Sequence, residues 1–272
     1  YEDLQMTNLV QLPTQSFPVS YSSEATGQIY IGLHKTGGLL PPPAHNNQND
    51  ELKEIYSYYR LMTDPLKTTH FVSPQVVKVD MNTQKTLWES VFETEEGRSA
   101  IGRILHLPSR DLLVVAGSSN GKGSYVGAGE WSNSWDGYIT KVNATTGIIN
   151  DSAGNQTWLA AEHSVRIQSQ VDRNDFILGM CVSDDKLYVT GTTTGKMKPD
   201  ATDFGGAFLM KVDVDTLNVI WIQQWYGMGI EGTKCTATLT QVYVAGHVPK
   251  GVSLKEDTTR TLTTSKDQDL FI

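Results

Sequence analysis

Apolar positions in this chain come in short runs, none near the roughly 20 residues a membrane-spanning helix needs. One pattern recurs. An apolar, β-branched run ends in a small residue or glycine, followed by polar turn residues and a second glycine, at Ile29–Gly38, Leu113–Gly121, Leu187–Gly195 and Val242–Gly251. Each predicts a strand that closes in a glycine-permitted turn. A second block, an aromatic or aliphatic strand ending in Lys-Val-Asp or Lys-Val-Asn, alternates with the first at Val76–Asp80, Tyr138–Asn143 and Phe208–Asp213. Asp269–Ile272 looks like the opening of a fourth copy, cut before its Lys, so a portion of a longer polypeptide is expected. A tryptophan stands 8 residues past Asp80 (Trp88) and Asp213 (Trp221), and 15 past Asn143 (Trp158). Between each tryptophan and the next first block a further strand is predicted, at 101–107, 176–182 and 234–239.

Three marks recurring in one order define a unit of about four short strands, returning every 55 to 84 residues. Tandem four-stranded antiparallel units are how a β-propeller looks in sequence, with blades of roughly 40–50 residues. The surplus length reads as loop insertion, and a β-sandwich with chance similarity among strands is the competing architecture. The expectation is an all-β, partial propeller over 1–272 with about four blade equivalents. Rings close with about 4 to 8 blades, so it would belong to a larger ring.

The order Lys-Val-Asp, an Asp-x-x-Thr or Thr-Thr-Gly turn, then Trp resembles blades of pyrroloquinoline-quinone-like propellers and of the bacterial propeller-repeat family. There, Phe-Val-x-Lys-Leu-Asp and Trp precede a Tyr-Val-x-Gly strand. The resemblance covers about 75–272 and implies fold rather than function. It also implies that Trp88, Trp158 and Trp221 pack between neighbouring blades. Lys78, Lys141 and Lys211 alternate with apolar neighbours and read as solvent-facing. A quinoprotein dehydrogenase would carry a vicinal cysteine pair and a Ca²⁺ site of Glu, Asn and Asp, and this chain has no adjacent cysteines.

Insertions on such a scaffold become loops, where binding concentrates. The longest, about 39–73, contains Pro41-Pro42-Pro43 and then Asp50–Arg60, a short helix with Leu52, Ile55, Tyr56 and Tyr59 on one face. Tyr56 and Tyr59 are candidate partner contacts; the alternative is a satellite element folded onto its own blade. The second, 121–136, holds Trp131, Asn133, Trp135 and Asp136. Trp131 and Trp135 either stack on carbohydrate or tuck into their own blade. Gly127-Ala-Gly129 lacks the strand–glycine–helix context of a phosphate cradle. The third, 147–158, carries the sequons of Asn150 and Asn155, with that of Asn143 just upstream. Three clustered sequons are candidate N-glycosylation sites in a secreted chain.

Cys181 and Cys235 are the only cysteines, at nearly matching places on equivalent strands of consecutive units. They form either a disulfide or two buried thiols, and without a C-x-x-C or Cys/His cluster structural zinc is not indicated. His34 and His247 share one place in the first block, with Ser118 and Thr192 in the other copies; polar strand ends account for them as well as a metal pair does. Asp213-Val-Asp215 opens like a calcium loop but lacks its Gly and distal Glu, so Ca²⁺ is the one cofactor left in view and no metal ligand is assigned. No catalytic constellation emerges.

Composition narrows the partners. With 22 Lys+Arg against 30 Asp+Glu the formal net charge is −8, which argues against nucleic acid or anionic lipid. The sequence therefore reads as a non-catalytic, extracellular or cell-surface scaffold and protein-interaction module of a larger glycoprotein assembly. Its partners would be other subunits or domains, and glycans in a lectin-like version. A secreted propeller enzyme, quinoprotein-like or glycan-active, is the alternative.

Overall fold

Leu113, Val114, Val115 and Ala116 are consecutive in sequence and all fully buried. A strand with apolar neighbours on both faces has no reason to alternate, and the short apolar runs follow from that. The computed structural model describes residues 16–23, 27–36, 72–92, 99–120, 134–149, 164–169, 173–198, 205–227, 229–249, 252–256, 260–263 and 268–271.

The first sheet is β1 (Ser16–Ser23), β2 (Gln28–Thr36), β3 (Val72–Asp80) and β4 (Lys85–Val91), in that order. The second is β5 (Ser99–Leu107), β6 (Leu112–Ser119), β7 (Asp136–Asn143) and β8 (Ser164–Ile167), and the third is β9 (Asp175–Ser183), β10 (Lys186–Thr193), β11 (Gly206–Asp213) and β12 (Val219–Tyr226). After β13 (Glu231–Ala237) and β14 (Val242–Pro249), a hairpin of β15 (Ser253–Glu256) and β16 (Arg260–Thr263) returns to the outer edge of β12. The chain then comes back as β17 (Gln268–Phe271), which pairs with β14 to form the fourth sheet. All pairings are antiparallel, and the only helical element among the described residues is a 3-10 turn at Pro108–Arg110. None there is long and apolar enough to cross a membrane.

The strands anticipated at 101–107, 176–182 and 234–239 are β5, β9 and β13, and Asp269–Phe271 is third in its sheet, beside β14. The sequence did not announce β1. It is serine-rich and carries Pro18, a residue tolerated because β1 lies at a sheet edge.

In every sheet the first strand bulges against the second, between Pro18 and Ser20, Ile101 and Arg103, Ile177 and Gly179, and Gly232 and Lys234. Gly32, Gly117, Gly191 and Gly246 stand opposite these bulges. The reason is close approach: a Cβ on Gly117 would fall 1.9 Å from the Ala100 carbonyl oxygen, and one on Gly191 1.8 Å from that of Phe176.

Successive sheets lie against one another through their first strands, β1 beside β5, β5 beside β9 and β9 beside β13. Tyr30, Val76 and Phe92 of the first sheet form one core with Ile101, Leu113 and Tyr138 of the second. Val114, Ala116 and Ile139 of the second pack with Ile177, Val189, Phe208 and Met210 of the third. The described sheets follow one another in chain order and do not close a ring. The connections β2–β3, β6–β7 and β10–β11 leave from one rim, while β3–β4, β7–β8 and β11–β12 turn at the other. The strand ends joined through 39–73 and 121–136 thus lie at the same rim, and those joined through 147–158 at the opposite one.

Candidate functional site

On the rim of the long connections, the second and third sheets meet over a buried polar cluster. Trp135 precedes β7, only 7% exposed, in a cluster with Ala100, Phe176 and Leu178. Its ring lies 6.0 Å from that of Phe176. Its backbone is fixed at both ends, with Trp135 N–H donating to Asn174 Oδ1 at 3.0 Å and its carbonyl accepting Asp175 N–H at 2.6 Å. The Trp135 indole is buried against Phe176 and Leu178 of the third sheet rather than within its own.

Beside it, Asp136 is wholly buried and paired with Arg166. Burial raises the Asp136 carboxyl, and the Arg166 guanidinium works against that rise. Asp175, also wholly buried, accepts the Ser169 N–H at 2.6 Å. Its carboxyl is pushed up to about 7, chiefly by burial, against hydrogen bonds from Thr193 and Ser169. Gln224 completes the layer by accepting Met197 N–H at 2.9 Å and donating to the Gly195 carbonyl at 3.1 Å. Both carboxyls are thus held inside the junction of the second and third sheets. The sequence placed Asp136 only in the 121–136 insertion, beside Trp135, and did not single out Asp175.

The opposite rim is built from one device. Asp80, Asn143 and Asp213 end β3, β7 and β11, and each side chain accepts two turn N–H groups: Asn82 and Thr83, Thr145 and Thr146, Asp215 and Thr216. Four residues on, Gln84, Gly147 and Leu217 take left-handed φ values of 56°, 73° and 56°. These are Asx turns, and they explain why the second block ends in Asp or Asn. Asp213 also meets Lys186 at 2.7 Å, which with the turn N–H groups holds its carboxyl well below the usual range. Its Oδ1 accepts the backbone N–H groups of Asp215 and Thr216, so Asp213-Val-Asp215 forms a turn. Among the described residues no three His, Cys, Asp or Glu side chains gather as for a metal.

Cys181 on β9 and Cys235 on β13 form a disulfide across 5.7 Å between their Cα atoms, joining the first strands of the third and fourth sheets. Asn143 has its carboxamide engaged at both ends: Oδ1 holds its turn and Nδ2 donates to Asp111 at 3.0 Å. Thr145, the hydroxyl residue of the same sequon, donates to Asp111 at 2.8 Å. Asn150, Asn155, Tyr56, Tyr59, Trp131 and Trp158 lie outside the described residues. His34 and His247 fall on β2 and β14, in the first and fourth sheets.

Two expectations need correction. Lys78 does not face solvent: it is 7% exposed, over the Tyr30 ring at 4.9 Å, with its amine bonded to the Ala144 carbonyl of the next sheet. A bonded amine over an aromatic face offsets the loss of water. Trp221, expected in a core, is 39% exposed.

No model of a known protein family matches the chain, and no curated protein matches its sequence. The likeness to propeller blades therefore rests on the recurring marks themselves.

Proposed function

We propose that this chain is an arc of a β-propeller and serves as a non-catalytic, extracellular scaffold and protein-interaction module of a larger assembly. The observation that carries the reading is the succession of antiparallel sheets, first strand against first strand, with a bulge and facing glycine in each. That is the blade order of a propeller, in which first strands line the central channel. The Cys181–Cys235 bond supports an oxidising compartment. The shared rim of the 39–73 and 121–136 insertions is the binding face, while the sequon-bearing 147–158 insertion leaves the other rim free to carry glycans. The buried acids beside Trp135 favour a structural junction over a catalytic or lectin-like one.

The test is cross-linking mass spectrometry on protein purified under non-reducing conditions from its native assembly. A scaffold gives inter-chain cross-links from Lys53, Lys67 and Lys122, all within the two insertions. Cross-links confined to other surfaces, or a tightly bound redox cofactor in the purified protein, would overturn the reading.

A further inference from the structure

The first and third sheets carry the same three side chains in the same register. Lys78 stands opposite Tyr30 and Trp88, and Lys211 opposite Tyr188 and Trp221. In both, the amine lies over the tyrosine, at 4.9 and 5.6 Å, and the Tyr and Trp rings meet tilted at 5.9 and 6.2 Å.

Their surroundings differ. In the first sheet an Asx turn of the second roofs the triad. The Ala144 carbonyl accepts from Trp88 Nε1 at 3.1 Å, Lys78 Nζ at 3.2 Å and the Tyr30 hydroxyl at 3.3 Å. Gly147 lies on the Trp88 indole, and the Ser90 hydroxyl donates to the Gly147 carbonyl. Lys141 of the second sheet also reaches the turn of the third, one residue further along, donating to the Asp215 carbonyl at 2.6 Å. The triad of the third sheet has no such roof among the described residues. Beside Trp221, Val219 and Ile220 are exposed as well.

We infer that Tyr188, Lys211 and Trp221 form the receptor for a further Asx turn, of the form Lys-Val-Asp/Asn-x-x-Thr, carried on a neighbouring β-sheet. Two donors, the Lys211 amine and the Trp221 indole N–H, call for a shared acceptor. A turn supplies it as the carbonyl of its second residue, as Ala144 does. A capped turn brings that carbonyl without a charge to desolvate, and its backbone covers the indole that Val219 and Ile220 flank. The position continues an interface already formed, since Tyr188 packs with Val244 and Cys235 of the fourth sheet. The inference does not depend on ring closure or on the scaffold role.

A disulfide-cyclised peptide copying residues 138–149, the end of β7 and its turn, added to ¹⁵N-labelled protein, tests it. The readout is solvent exchange of the two indole N–H groups, assigned with Trp88→Phe and Trp221→Phe. Without peptide, the Trp221 proton exchanges at least about tenfold faster than that of Trp88; saturating peptide slows Trp221 by about tenfold and leaves Trp88 unchanged. A peptide carrying Asn143→Ala, which lacks the turn cap, binds about tenfold more weakly, and Lys211→Met in the protein has a similar effect. An unchanged Trp221 at about 1 mM peptide, equal binding by the uncapped peptide, or protection of Trp221 by neutral oligosaccharides in place of the turn would each overturn the assignment.

Discussion

At Gly147 backbone and packing make separate demands. Gln84 and Leu217 hold the same turn position at φ 56°, so the backbone alone does not require glycine. The indole does: a Cβ on Gly147 would sit 2.6 Å from the Trp88 ring. Gly147→Ala should therefore destabilise the protein by about 2–4 kcal/mol, combining left-handed strain with a displaced indole. Gln84→Gly, exposed and free of such contact, should be neutral or gain up to about 1 kcal/mol. Denaturant midpoints for the two variants check both. Asp175 makes a pH prediction. Its carboxyl titrates at 3.8 in the unfolded chain and about 7 in the fold, so the folded state holds the extra proton between those values. Stability from this group is thus full below about pH 4 and falls as pH rises towards 7, by on the order of 4 kcal/mol. Asp175→Asn should flatten the melting temperature across that window; an undiminished slope would show that another group causes it. Asp213 acts oppositely and elsewhere, with its stabilisation lost only as pH falls below 3.8.

Between elements, the disulfide is the strongest single tie. It spans 54 residues, and constraint of the unfolded chain over such a loop is worth about 2–4 kcal/mol. The double variant Cys181→Ser/Cys235→Ser should lose that much, and reductant should lower the melting point of the parent but not of the variant. This tie was half legible: the spacing put both cysteines on equivalent strands, but only the packing of β9 against β13 decides between bond and free thiols. The strands were legible wherever β-branched runs made them. β1 was not, because Pro18 and its serines mimic a loop. Lys78 misled because alternation reports which face a side chain takes, and here the second sheet covers the face that Lys78 shares with Tyr30 and Val76. The acids at the sheet junction stayed hidden for a related reason. Asp136 and Asp175 sit where strands begin, and burial there depends on residues from another sheet.

For the whole molecule, each sheet is built almost wholly from consecutive chain, and a net charge of −8 disfavours polyanion partners. Local pairing of this kind lets a sheet form as soon as its own strands are made. The β15–β16 hairpin breaks the rule. It leaves the fourth sheet between its second and third strands and pairs Glu256 and Lys255 with Trp225 and Tyr226 of β12. Until it is synthesised, a nascent chain stalled after β14 presents that stretch of β12 as an open edge, and open edges recruit other chains. The hairpin then serves as a late-arriving guard, and ribosome-stalled or truncated products lacking it should aggregate where the longer chain does not.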